Sequence, residues 1–261
     1  MARFASGAVR GGIAREGKTV LFGGARRRRL LALLTIVLLA ATAAACGLLL
    51  RPARAAGPVA GIGFAPAPPT DDGSGGDVVY PLIAWRISKP VGATDHGRLV
   101  DGVQLPAEGP DWFTWDPVHD RTPDRGWRRW GTDALLRTTL RVLREYRAAD
   151  PGAPRVGIMD LSRPHGGFFG AVYGGLGHAS HQNGLDIDIM YPRRDGRERR
   201  PFTPDQVDVD RAQDLVDRFV RAGAVYVFVG PHLPLHGRKG VVVPLVYHDD
   251  HLHVRIAPPP D

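Results

Sequence analysis

The spacing of apolar residues changes character along the chain. Residues 1–29 mix Gly, Ala and Arg without a period and close on four arginines at 26–29. Residues 30–50 then form an uncharged, Leu- and Ala-rich run. At 1.5 Å per residue, such a run reaches across the ~30 Å hydrocarbon core of a bilayer. Residues 51–76 are rich in Pro, Gly and Ala and end in a short Asp/Gly/Ser tract, the composition of a linker. Periodic patterns appear only in 77–261, which is long enough for one domain with a sizeable core.

Two helices are expected there. Thr132 caps the first, Asp133 sits in its first turn, and Leu136, Leu140 and Leu143 repeat at helical spacing before Asp150-Pro151-Gly152 stops it. The second is expected to open at Thr203-Pro204-Asp205-Gln206, a capping-box pattern with Pro at the first position. Its apolar stripe includes Ala212, Leu215, Val216, Phe219 and Val220, and Gly223 ends it. Strands are expected at 156–160, 185–190, 225–229, 241–247 and 251–256. Helices and strands do not alternate regularly, which favours an α+β fold over a doubly wound sheet.

Charge sharpens the division of the chain. Ten of its 34 basic and three of its 27 acidic residues lie in 1–76, leaving 24 of each in 77–261. The formal charge of +7 therefore belongs to the N-terminal segment, and the domain has no global field to steer a nucleic acid. Arginines before an apolar run stay cytoplasmic, so the domain is expected outside, in a periplasm or cell-wall space. Three processing outcomes stay open. The run can remain as an inner-membrane anchor, it can be a signal peptide cut near Ala53-Arg54-Ala55, or Cys46 can be acylated. Cys46 is the single cysteine, so the domain has neither a disulfide nor a thiolate ligand.

The candidate chemistry lies in two windows that hold five of the ten histidines. The first runs from His178 through His181 to Asp186 and Asp188. The second holds His248, His251 and His253. Strand alternation sends Leu185, Ile187 and Ile189 one way and Asp186 and Asp188 the other. Likewise Leu252, Val254 and Ile256 oppose His251, His253 and Arg255. Two such strands side by side bring two carboxylates to two imidazoles, with His181 reaching over from the preceding turn. Two imidazoles and one carboxylate suit Zn²⁺, which accepts N and O donors and leaves a fourth position for water in catalytic sites. Either fragment alone is weak, because alternation can place His or Asp on a solvated face; both together point to a metal site. Elsewhere the simpler reading holds. His96, His119, His165, His232 and His236 are expected on the surface, the tryptophans at 112, 115, 127 and 130 in packing, and 193–200 in a solvated loop.

The stretch H-A-S-H-Q-N-G-L-D-I-D at 178–188 with H-L-H-V-R at 251–255 closely resembles the penicillin-insensitive murein endopeptidases. These belong to the wider lysostaphin, D-Ala-D-Ala peptidase and sonic hedgehog superfamily. Met159-Asp160, Gly166-Gly167-Phe168 and the segment at 97–106 extend the resemblance over about 85–257. It implies His181, Asp188 and His253 as zinc ligands and His251 as general base, with His178 and His248 as further active-site histidines. Asp186, beside the ligand Asp188, is then expected to hold the outer nitrogen of a ligating histidine. The implied fold is α+β around a small central antiparallel sheet with flanking helices, and the zinc site lies on the sheet face. The implied reaction is hydrolysis of D-alanyl–diaminopimelyl cross-links between peptidoglycan stem peptides. A D-Ala-D-Ala carboxypeptidase or dipeptidase of the superfamily would carry Glu-x-x-His before the last ligand, where this chain has His248-Asp249-Asp250-His251. A wall-binding module that holds zinc without catalysis would not need His251.

Overall fold

The computed structural model describes residues 79–260, so the expected basic segment 1–29, apolar run 30–50 and linker 51–76 lie outside the described residues. Among the described residues no helix is long and apolar enough to cross a membrane.

The fold is α+β. A two-stranded ribbon, β1 (Lys89–Gly92) with β2 (Gly97–Val100), comes first. Then follow β3 (Val103–Gln104), β4 (Trp112–Thr114), β5 (Trp130–Gly131), helix α1 (Asp133–Ala149), β6 (Val156–Ile158) and β7 (Asp186–Met190). Helix α2 (Val209–Arg221), β8 (Tyr226–Val229), β9 (Val242–Pro244) and β10 (His251–Arg255) complete it. The main sheet has six strands in the order β4-β6-β7-β10-β8-β9. It is larger than the small antiparallel sheet expected, and it is mixed. The central pairs are antiparallel, whereas β4 with β6 and β8 with β9 run parallel. Each parallel pair is joined by a crossover of the length such pairs require, through α1 in one case and residues 230–241 in the other.

Both helices feed one continuous core. Leu135, Leu136, Val142, Leu143 and Tyr146 of α1 join Ala212, Leu215, Val216 and Phe219 of α2. They meet Ile187 and Ile189 of β7, Leu252 and Val254 of β10, and Val227 and Val229 of β8. The expected alternation therefore holds on the two strands that matter. Removing a side chain of this kind from such a core costs about 2–5 kcal/mol.

Helix α1 starts where its cap predicts: the Thr132 side chain accepts a hydrogen bond from Leu135 N at 3.2 Å. Helix α2 does not. Thr203 makes no cap hydrogen bond; Pro204–Gln206 is a single 3₁₀ turn, and Asp208 caps the helix by accepting from Arg211 N. Val207 takes an extended conformation and is fully buried, so packing breaks the chain between the Pro turn and the helix.

Candidate active site

The register of β7 against β10 builds the centre of the site. His253 lies opposite Asp188, and Arg255 lies opposite Asp186. Their core-facing neighbours are fully buried, so a slip of one residue would turn every polar side chain into the apolar layer. His181 arrives from the turn before β7 with a left-handed backbone, φ 65°. Gly184 closes that turn at φ 77°; a Cβ there would meet Leu99 Cδ1 at 2.8 Å. The Gly184 carbonyl accepts from Thr132 N at 2.9 Å, which ties the turn to the start of α1.

Three atoms meet at nearly equal distances. His181 Nε2 lies 3.3 Å from Asp188 Oδ1 and 3.3 Å from His253 Nδ1, and His253 Nδ1 lies 3.2 Å from Asp188 Oδ1. Asp188 Oδ1 is buried and makes no hydrogen bond. The far nitrogens of both imidazoles are engaged: His181 Nδ1 donates to the Leu161 carbonyl at 2.6 Å, and His253 Nε2 donates to Asp186 Oδ1 at 3.1 Å. Those bonds place the hydrogens on the outer nitrogens, so in neutral rings the inner lone pairs face one another and the carboxylate oxygen. Asp186 is itself fixed, accepting from Arg255 Nε at 2.6 Å and from the His181 backbone N–H at 3.1 Å.

Charge follows from this crowding. Burial pushes the carboxyls of Asp186 and Asp188 up, yet the imidazoles, and Arg255 beside Asp186, outweigh it and hold both well below the usual range. Burial lowers the His181 imidazole, favouring its neutral form. At His253 burial is overcome by the Asp186 charge, and its value rises to about 9.

The other histidines line the site. His251 Nε2 lies 3.7 Å from Asp188 Oδ1, while its Nδ1 is 2.6 Å from Asp250 Oδ1. His178 Nδ1 lies 3.7 Å from Asp188 Oδ2, and its Nε2 is 2.8 Å from Asp160 Oδ2. Asp160 is in turn gripped by the buried Arg128. His248 stands beside His251 with ring centroids 4.8 Å apart. Its Nδ1 is 2.8 Å from the Val246 carbonyl, and burial with the nearby His251 pushes it down to about 4. Thus all seven expected site residues come together. His178, His181 and Asp188 also present ligand atoms within 4.8 Å of one another, so either this trio or the one with His253 could hold a metal.

Asp160, Arg128, Asp250 and Arg200 were not assigned a role by sequence. Asp160 appeared only within the resembling Met159-Asp160, and Asp250 only as the absence of a Glu. The 193–200 stretch is also more than a solvated loop: Arg193 pairs with Asp195, Arg194 bonds the Val207 carbonyl and Arg200 pairs with Asp250.

Residues 90–222 match the family model for penicillin-insensitive murein endopeptidase, Peptidase_M74. The chain belongs to this family. Among its murein endopeptidase relatives, the protein of that name from Pectobacterium atrosepticum is 28% identical over 211 residues, covering 71% of this chain and 69% of the relative. The one from Yersinia enterocolitica is 25% identical over 201 residues, covering 66% of each. The family match takes in His178, His181, Asp186 and Asp188 and ends before His248, His251 and His253. Membership makes the chain a peptidase of murein, and the pairing of β7 with β10 adds the remaining histidines to the matched segment.

Proposed function

We propose that this chain is a zinc-dependent endopeptidase that hydrolyses the D-alanyl–diaminopimelyl cross-links of peptidoglycan. Its ligands would be His181 Nε2, Asp188 Oδ1 and His253 Nδ1. The observation that carries this reading is the triangle of 3.2–3.3 Å around the unpaired Asp188 oxygen. Donors ~2.0–2.1 Å from a tetrahedral zinc stand about 3.3–3.4 Å apart. The trio with His178 fits less well, because His178 Nδ1 lies 3.7 Å from Asp188 Oδ2 and does not share the unpaired Oδ1 on which His181 and His253 converge. We place the enzyme domain at 77–261, outside the cytoplasm, with the apolar run at 30–50 as its membrane tether or secretion signal. That placement rests on the four arginines ahead of the run and on where murein lies.

A bound Zn²⁺ supplies Lewis acidity, lowering the pKa of a water toward ~7 and polarising the scissile carbonyl. The chain's own groups do the rest. Asp186 and the Leu161 carbonyl hold the outer nitrogens of His253 and His181, which fixes ring and tautomer. His251, with Nε2 turned to the site, takes the proton of the attacking water and returns it to the departing amine of diaminopimelate. The hydroxyl stays on the D-alanyl carbon, so the amide C–N bond breaks as one water is added. His178 and His248 flank the reacting atoms and offer further hydrogen-bonding groups to the stem peptides.

Elemental analysis and digestion of muropeptides test this. The full chain should hold one zinc and cut cross-linked muropeptides, leaving uncross-linked pentapeptides whole. His181→Ala and His253→Ala should each lose both metal and cutting, since two donors do not hold the ion tightly. Stoichiometric zinc in both variants would falsify the ligand set. Release of terminal D-Ala from uncross-linked chains would assign a carboxypeptidase instead.

A further inference from the structure

His251 works as a base only in one arrangement: hydrogen on Nδ1, lone pair on Nε2, ring turned toward Asp188. We infer that Asp250, anchored by Arg200, is the positioning residue that imposes this arrangement. The inference rests on the proposed hydrolysis for its effect on rate, and on geometry alone for its effect on the ring.

Asp250 precedes His251 directly. Neighbours within a strand point to opposite faces. Asp250 escapes this because it stands in the bend before β10, so its Oδ1 can reach His251 Nδ1 at 2.6 Å. Its backbone carbonyl accepts from Tyr191 N at 3.3 Å, fixing the bend to the end of β7. A carboxylate at the rim could still swing to water. Arg200 holds it there, with Nη1 donating to Asp250 Oδ2 at 3.1 Å. Arg200 is itself held: Nη2 lies 3.4 Å from Asp120 Oδ1, and its guanidinium sits over the Phe202 ring at 5.2 Å. Each oxygen of Asp250 thus serves one donor, with the imidazole on one side and the guanidinium on the other.

A partly exposed Arg–Asp pair is worth only about 0–1 kcal/mol and would ordinarily be read as surface decoration. Its alignment argues otherwise. The same construction recurs across the site with its Arg–Asp pair buried: His178 Nε2 bonds Asp160, and Asp160 is gripped by Arg128. Both imidazoles that flank Asp188 at 3.7 Å have an Arg–Asp pair behind the nitrogen that faces away from it. Orienting partners of this kind typically change rate or affinity by about 10–100-fold when removed.

Asp250→Asn in the zinc-loaded full chain tests this. The amide keeps one acceptor oxygen where two donors compete, at almost no cost in shape. Zinc content and KM on cross-linked muropeptide should stay within about twofold, while kcat falls about 10–100-fold. Asp250→Glu should recover part of the loss, and Arg200→Ala should reproduce a smaller one. In a His251→Ala background, Asp250→Asn should have no further effect, because the base it positions is gone. An equal drop in that background, or a kcat within twofold of the parent in the single variant, overturns the inference. A second arm needs no substrate. Nitrogen-15 spectra of the histidine rings should show His251 with hydrogen on Nδ1 in the parent and a shift toward the Nε2–H form in Asp250→Asn. A parent ring with its hydrogen on Nε2 overturns the inference too. If the parent cuts no muropeptide, the assigned reaction fails, and the ring spectra still decide this point.

Discussion

Asp124 is a carboxyl placed where a carboxylate is poorly served. It is 2% exposed and shares the single guanidinium of Arg128 with Asp160, and its Oδ2 has no hydrogen-bond partner. Burial and the Asp160 charge push it up to about 8, against an ordinary 3.8. Between these values the folded chain keeps a proton that the unfolded chain has released, so stability falls as pH rises from about 4 to 8. Asp124→Asn is neutral throughout and should escape that loss. The unfolding free energy from urea titration should match the parent at pH 4 and exceed it at pH 9, by at least about 1 kcal/mol; a gap that does not grow with pH would refute this. None of this was legible in the sequence. Alternation along 185–189 and 251–256 was enough to put Asp186, Asp188, His251 and His253 on one face, because a strand fixes where each side chain points. The partners behind them come from far along the chain: Arg128 meets Asp160 across 32 residues, and Arg200 meets Asp250 across 50. No local period encodes such a meeting, so an arginine in a polar loop looks the same whether it faces water or a carboxylate.

Among the elements, α1 was readable to its cap and α2 was not, for a physical reason. The Thr132 hydroxyl accepts from Leu135 N and donates to the Gly184 carbonyl, and both bonds hold it at the helix start. For the second helix the sequence pattern points to Thr203, whereas the helix is capped five residues later by Asp208, because extended, buried Val207 separates the Pro turn from the helix. Asp208→Ala should therefore cost about 1 kcal/mol, the usual loss of a side-chain cap, while Thr203→Ala should cost a few tenths at most. Thermal denaturation of the two variants checks this, and equal losses would restore the capping box to the helix. Sheet composition was harder still. Periodicity identified the strands of the site, but β4 carries three consecutive buried residues, Trp112, Phe113 and Thr114, with no alternation to mark it. Its parallel pairing with β6 depends on the crossover through α1, which no window of sequence contains.

For the molecule as a whole, the proposed metal would join segments that are distant in sequence and meet only in the sheet. Removing it should leave the crowded lone pairs of His181, Asp188 and His253 to be relieved by protonation. A chelator should lower the melting midpoint by several degrees, a ligand at 100 times its Kd being worth about 2.7 kcal/mol. Added zinc should restore it, and His253→Ala should not respond to either. An unchanged midpoint in the parent would argue that no metal is structural here. The path of the chain between the two site segments has another consequence. Gly196 sits in the 193–200 loop, exposed, with open space where a Cβ would stand. A cut there would part His178, His181, Asp186 and Asp188 from His248, His251 and His253, leaving each fragment with half of the machinery. The break would fall outside every strand and helix, so the contacts that hold β10 against β7 would survive it. Cleavage of murein would then report on reassembly: two silent fragments, separately expressed, would become an enzyme only when the sheet closes in register.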